Sequence, residues 1–160
     1  MIRIMIVSDT HGQHKYLERA LEKVKFVDRM IHLGDVEGCE DYIEAIAGCE
    51  VEFVAGNNDY YSDLPFELIT QIGPYRALLT HGHYYYVNSG MTDLVRVAEE
   101  KNVNLVMYGH THRPVIEYEG DLILVNPGSL AYPRQEGRRP SYIMLELDDE
   151  NRLHFEIEYL

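Results

Sequence analysis

Two short polar clusters carry the most chemistry in this chain: Asp9-Thr10-His11 and His110-Thr111-His112, each placed just after a run of apolar residues. Where a strand ends, an Asp-x-His pair turns its carboxylate and imidazole to the same side of the chain, so both can bind one cation. Two imidazoles spaced the same way have few structural uses. Gly34-Asp35, Gly56-Asn57-Asn58-Asp59 and His81-Gly82-His83 repeat the arrangement after three further apolar runs. Singly, the Asp, Asn and Gly clusters read as ordinary turns or solvated caps. Five together supply a thiol-free set of oxygen and nitrogen donors. Such a set suits two divalent ions of intermediate softness better than a structural zinc site built on cysteines. One carboxylate must then be shared, and Asp35, central among the runs, is the candidate bridge.

The apolar runs themselves are Ile2-Val7, Met30-Leu33, Val51-Ala55, Tyr75-Leu79 and Leu105-Tyr108. As strands of one sheet they would bring their carboxyl ends to a common rim, which is where α/β folds build sites. Between them, Tyr16, Leu17, Ala20, Leu21 and Val24 recur at helical spacing, as do Tyr42, Ile43, Ile46 and Ala47. Leu94, Val95, Val97 and Ala98 mark a third helix over residues 92–101, with Thr92 or Ser89 available as its N-cap. Alternation of strand and helix implies right-handed parallel crossovers in the first half. The second half reads as hairpins: Val115-Tyr118 with Leu122-Val125 around Glu119-Gly120-Asp121, and Tyr142-Leu147 with Leu153-Tyr159 around Asp148-Asp149-Glu150-Asn151. Strands in both halves with helices outside suggest an α/β fold of two sheets face to face.

A chain of 160 residues suits a single domain, residues 1–160, with a core that needs no disulfide. Its hydrophobic share of 46% and charged share of 26% are those of an ordinary globular protein. The first apolar run is too short for a signal peptide or a membrane span, so no membrane partner is expected. Cys39 and Cys49 do not form a short Cys-x-x-Cys pair, which together with the missing leader suggests a reducing, cytoplasmic setting and an incidental role for both thiols. A net charge of -13 argues against binding a nucleic acid polymer. It leaves a small phosphate ester open, because two bound divalent ions would reverse the local field.

Taken in order, Asp-x-His, Gly-Asp, Gly-Asn-x-Asp, a strand ending in His-Gly, and Gly-His-Thr-His resemble the calcineurin-like metallophosphoesterases. The Ser8-Asp9-Thr10-His11-Gly12 opening, the compact length and the late Asn126-Pro127-Gly128-Ser129 are similar to the small single-domain branch often called YfcE-type phosphodiesterases. The resemblance runs from about Met1 to Leu145. It implies a four-layer αββα sandwich, two mixed sheets face to face with helices outside. Carried over by position, it makes Asp9, His11, Asp35 and His112 ligands of one ion, and Asp35, Asn57, His81 and His110 ligands of the other. Manganese is the first expectation. Nickel, iron, cobalt and zinc suit the same donors, since mixed nitrogen and oxygen ligands do not select among them. The implied reaction is hydrolysis of a phosphate ester, a phosphodiester first, by in-line attack of a hydroxide bridging two divalent metal ions. A phosphomonoesterase on the same site is the alternative. A non-catalytic metal-binding scaffold for a protein partner, as a retromer subunit of the superfamily illustrates, is the reading from a different class, and the complete ligand set favours the enzyme. A homodimer is an open expectation.

One departure from the family pattern matters. Many members carry His after the metal-binding Asn, where it assists the leaving group, and this chain has Asn58. An amide donates a hydrogen bond and cannot deliver a proton at neutral pH. Either another acid substitutes, or the enzyme favours esters whose leaving group departs readily. Asp59 would orient Asn58 or a neighbouring ligand, and His83 would either face the phosphate as a proton donor or stand behind His81. His14, His32 and His154 read as surface or strand histidines, and Tyr84, Tyr85 and Tyr86 as residues alternating between core and surface or as a wall for a nucleobase. Asn126, Gly128 and Ser129 shape a tight loop under the metals. Arg134 on the following loop is the candidate clamp for a substrate phosphate, in competition with Arg138 and Arg139.

Overall fold

Alternation within the strands dictates the layers. In β1 (Ile2–Val7), Ile4 and Ile6 face one way while Met5 and Val7 face the other, and all four are fully buried. A strand apolar on both faces must be covered on both. The computed structural model describes residues 1–160 and meets that demand with two five-stranded sheets packed together and helices on the outer faces. The first sheet has the order β10-β9-β1-β2-β3, with β2 at Arg29–His32, β3 at Glu50–Phe53, β9 at Ser141–Leu147 and β10 at Leu153–Tyr159. Strands β1, β2 and β3 are parallel, and β9 and β10 add to them antiparallel. The second has the order β4-β5-β6-β8-β7, with β4 at Glu67–Ile72, β5 at Tyr75–Thr80, β6 at Leu105–Met107, β7 at Pro114–Glu119 and β8 at Leu122–Pro127.

Between the sheets lies a layer of 14 buried apolar residues, among them Ile6, Ile31, Leu79, Met107 and Ile143. At roughly 1.5–3 kcal/mol for each large side chain, this layer fixes one sheet against the other, and with it any site that draws side chains from both. Helices α1 (Lys15–Val24) and α2 (Glu40–Ala47) cover the first sheet through Leu17, Ala20 and Ile43. Helix α3 (Thr92–Glu100) covers the second through Leu94, Val97 and Ala98. The result is the four-layer αββα sandwich. No helix is long and apolar enough to cross a membrane.

Three details differ from the sequence reading. The five apolar runs do not share one sheet: three end in β1, β2 and β3 of the first and two in β5 and β6 of the second. Their carboxyl ends still meet, because the two packed sheets open on a common edge. Strand β4 was not expected, since its outer face carries Glu67, Ile69 and Gln71 in place of a continuous apolar run. The two-residue turn Gly73-Pro74 before Tyr75 was the available signal. Helix α3 is capped at Met91, with no side-chain cap from Ser89 or Thr92, because Thr92 already lies inside the first turn.

Candidate metal centre

Every expected ligand arrives at that shared edge. Asp9 and His11 follow β1, Asp35 follows β2, Asn57 follows β3, His81 follows β5, and His110 and His112 follow β6. One ligating atom from each of Asp9, His11, Asp35 and His112 falls within 4.8 Å of all the others. The remaining three gather around His81, whose Nε2 lies 3.0 Å from Asn57 Oδ1 and 3.3 Å from His110 Nδ1. Asp35 Oδ2 stands between the two groups, 3.5 Å from His11 Nε2 and 3.5 Å from His81 Nε2. Asp9 Oδ1 is also central, at 3.7 Å from both nitrogens.

Hydrogen bonds aim the lone pairs inwards. His81 donates from Nδ1 to the Leu33 carbonyl (2.6 Å) and His112 donates from Nδ1 to the Tyr132 carbonyl (2.7 Å), which leaves each Nε2 free to ligate a cation. His112 Nε2 then faces Asp9 Oδ1 at 3.0 Å, acceptor against acceptor. That Asp9 oxygen is buried and has no hydrogen-bond partner, while its Oδ2 accepts from Ser8 Oγ (2.6 Å) and from the His110 amide (3.1 Å). Only a proton or a cation can stand between such groups at tolerable cost. A divalent cation held by oxygen and imidazole donors fits the set, and nothing in it requires a thiolate.

The charges agree with that reading. Burial pushes the Asp9 carboxyl up, yet His81, His11 and His112 together hold it well below the usual carboxylate range. Burial likewise opposes the lowering of Asp35 that its hydrogen bond to His81 produces. His81 is driven down by burial, but Asp9 and Asp35 beside it lift it to about 9. His11 is likewise raised, by Asp9, Asp35 and Glu37 against burial, and imidazoles that keep protons against desolvation are prepared to exchange them for metal charge.

The backbone is strained where the ligands sit. Asp9, His11, Asp35, His110 and His112 all adopt positive φ, between 48° and 71°. For residues other than glycine this region costs of order 1–3 kcal/mol each. The surroundings enforce it. Asp59 accepts from the amides of Asp35 (2.9 Å), Gly56 (2.7 Å) and Glu37 (2.7 Å), tying the loop after β2 to the loop after β3. Ser129 Oγ donates to the Asp9 carbonyl (2.7 Å), and Asn126 Nδ2 donates to the Gly109 carbonyl (3.1 Å) and Thr111 Oγ1 (3.0 Å). Gly128, at φ +76°, leaves no room for a Cβ beside Ser141 Oγ.

The other expected residues fall into distinct places. Asn58 clasps Asp35, donating its amide N–H to Oδ1 (2.9 Å) and its Nδ2 to Oδ2 (2.9 Å). Asp59 therefore braces Asp35 through the backbone, and its carboxylate makes no hydrogen bond to the Asn58 side chain. The His83 ring lies 5.4 Å from that of His81 and 6.1 Å from that of His110, with its Nδ1 buried and unpartnered. Burial, with cationic His81 nearby, holds it down to about 4. His32 is a buried strand histidine: Gly34 donates its amide to Nδ1 (3.2 Å), so Nε2 donates to Thr10 Oγ1 (2.9 Å) and steadies the turn between Asp9 and His11. Tyr84 and Tyr86 are exposed around a half-buried Tyr85. Arg134 is exposed and lines a cleft shared with His11 and His112. Glu37 was not anticipated, and its Oε2 lies 3.5 Å from His11 Nδ1. Its only sequence signal is its place two residues after Asp35.

Residues 2–150 match the model of the calcineurin-like phosphoesterase superfamily domain. The chain belongs to this superfamily. The probable metallophosphoesterase YsnB of Bacillus subtilis is 32% identical over 150 residues, which cover 93% of this chain and 86% of that protein. The phosphodiesterase YfcE of Escherichia coli is 30% identical over 172 residues, covering 92% and 89%. A crystal structure of a predicted phosphoesterase from Streptococcus pneumoniae superposes with a TM-score of 0.80 at 28% identity, covering 99% and 98%. Vps29 of Entamoeba histolytica, solved in complex with zinc, shares the fold at a TM-score of 0.78 and 22% identity, covering 99% of each chain.

A Cβ at Gly56 would lie 2.2 Å from Asp35 Oδ1. Gly56→Ala should therefore displace Asp35 and lower manganese affinity by roughly tenfold or more, the range seen when a ligand loses its support. Titration calorimetry against a variant whose fold is checked by circular dichroism measures this, and unchanged affinity would contradict the close packing of Gly56 on Asp35.

Proposed function

We propose that this chain is a phosphodiesterase that works with two divalent metal ions, manganese first among them, on a small phosphate ester. One observation carries the reading: the single carboxylate oxygen Asp35 Oδ2 stands at 3.5 Å from one imidazole nitrogen of each group, His11 Nε2 and His81 Nε2. Asp9, His11, Asp35 and His112 would hold one ion, and Asp35, Asn57, His81 and His110 the other. When bound, such a pair neutralises phosphoryl oxygens and brings the pKa of water towards neutrality. The relative named phosphodiesterase supports the diester over the monoester.

The rest is done by side chains of this chain. Asn58 fixes the plane of the Asp35 carboxylate with two hydrogen bonds, so its amide is engaged with a ligand and has no proton to give. His83, held down at about 4, is neutral at physiological pH, so beside the site it is a hydrogen-bonding group and not an acid. With neither group able to protonate the departing alkoxide, the ester must supply a stable leaving group.

Hydrolysis of bis-p-nitrophenyl phosphate with manganese should outrun that of p-nitrophenyl phosphate. Asp35→Asn should lower kcat/KM by more than about a hundredfold, beyond the 10–100-fold typical of residues that only support a ligand. Activity retained in that variant would remove Asp35 from the shared position. No turnover with manganese, nickel, iron, cobalt or zinc, beside intact metal binding, would leave the scaffold reading. Across a series of aryl phosphodiesters, rates should fall steeply as leaving-group pKa rises. A flat dependence would mean that some group does deliver a proton.

A further inference from the structure

The ligand cluster borders two clefts of opposite character. One, of about 670 Å³, is walled by Glu37, Glu40, Asp41 and Asp63 next to Asn58 and Asp59. The other, of about 790 Å³, has His11 and His112 in its wall and continues past Tyr132 to Arg113, Arg134 and Arg138. In a chain of net charge -13, three exposed guanidinium groups converge on this second cleft. None of them has a carboxylate partner, and the arginine ion pairs of the chain are made by Arg3, Arg29, Arg96 and Arg152. Like charges gathered without counter-charge repel one another, and an anion between them removes that cost.

The arginine cleft is built onto the metal cluster. Arg113 directly follows His112, and the Arg134 amide donates to the His112 carbonyl at 3.0 Å. Tyr132, whose carbonyl orients His112, stacks edge-on against His11 at 5.4 Å and accepts a hydrogen bond from Gln13 through its hydroxyl. An anion held by these arginines would therefore sit in fixed relation to a phosphate held by the ligand cluster. The carboxylate-lined cleft would repel the same group, so charge alone orients the substrate.

We infer that the Arg113, Arg134 and Arg138 cleft binds a second phosphate of the substrate, carried on the ester beside the phosphodiester that is cleaved. Planar guanidinium groups pair with phosphate in bidentate fashion, and three of them match a phosphate monoester dianion better than a neutral sugar or base. The inference rests on the phosphoesterase reading, because the first phosphate is placed by the metal ligands.

Two esters with the same scissile bond separate the possibilities: thymidine 5′-(p-nitrophenyl phosphate) and the same compound bearing a 3′-phosphate. With the manganese-loaded protein, the 3′-phosphorylated ester should show a KM lower by roughly tenfold or more, at least the worth of one charge-assisted hydrogen bond. In Arg134→Gln and Arg138→Gln that preference should shrink to about twofold or less, whereas Arg96→Gln, on the surface of α3, should keep it. Equal KM values for the two esters, or a preference that survives both substitutions, would overturn the inference while leaving the phosphodiesterase reading in place. Calorimetry with thymidine 3′,5′-bisphosphate and thymidine 5′-monophosphate gives a readout independent of turnover. Tighter binding of the bisphosphate that depends on Arg134 and Arg138 supports the cleft even if neither ester is hydrolysed, a result that would instead overturn the hydrolase reading. Equal binding of both nucleotides would count against the cleft.

Discussion

Two carboxylates, Asp9 and Asp35, are buried against one small volume and aim oxygens at the same pair of imidazole nitrogens. Much else in the molecule answers to that constraint. Burying one carboxylate without a compensating charge is costly, and burying two that face each other is worse. His11 and His81 offset the cost in part, and the two carboxylates in turn lift His81 to about 9 despite its burial. A pair of divalent cations would offset it fully and release those protons. The same electrostatic demand explains why Asp9 can leave one buried oxygen without a hydrogen bond, a condition seldom tolerated in a folded core.

Strain and bracing follow from this. Five of the ligand residues turn through the left-handed region, and Asp and His are among the residue types that accept it most readily. The turns aim side chains back over the strand ends from which they come. They hold because each is clamped by neighbours with no part in ligation: Asp59 on the β2 and β3 loops, His32 and Ser129 on the β1 loop, Asn126 on the β6 loop. The sandwich core serves the same end. Three ligand loops come from one sheet and two from the other, so the apolar layer between the sheets sets the distance between the ligand groups.

Most of the ligand cluster was legible in the sequence because its signal is local. A run of apolar residues that stops at Asp-x-His, Gly-Asp or His-x-His names both the strand end and the candidate donor, and the seven side chains so named gather at one edge. Residues that act at a distance were harder to read. Nothing in the spacing tells that Asp59 binds three amides, that Asn58 closes on Asp35, or that Glu37 stands behind His11, since each depends on two loops meeting. The division of the runs between two sheets was blurred for the same reason: strands buried on both faces look alike whichever sheet they join. Strand β4, half polar and at an edge, lay below the apolar signal altogether. The loop carrying Arg134 was visible as a candidate clamp, but Arg113 joins it only through the turn that follows His112.

The shared role of Asp35 is tested most directly by anomalous scattering at the manganese edge from crystals of the manganese-loaded protein. Two peaks are expected, one among Asp9, His11 and His112 and one among Asn57, His81 and His110, with Asp35 Oδ2 between them. A single peak, or ions bound away from these seven side chains, would contradict the two-metal centre.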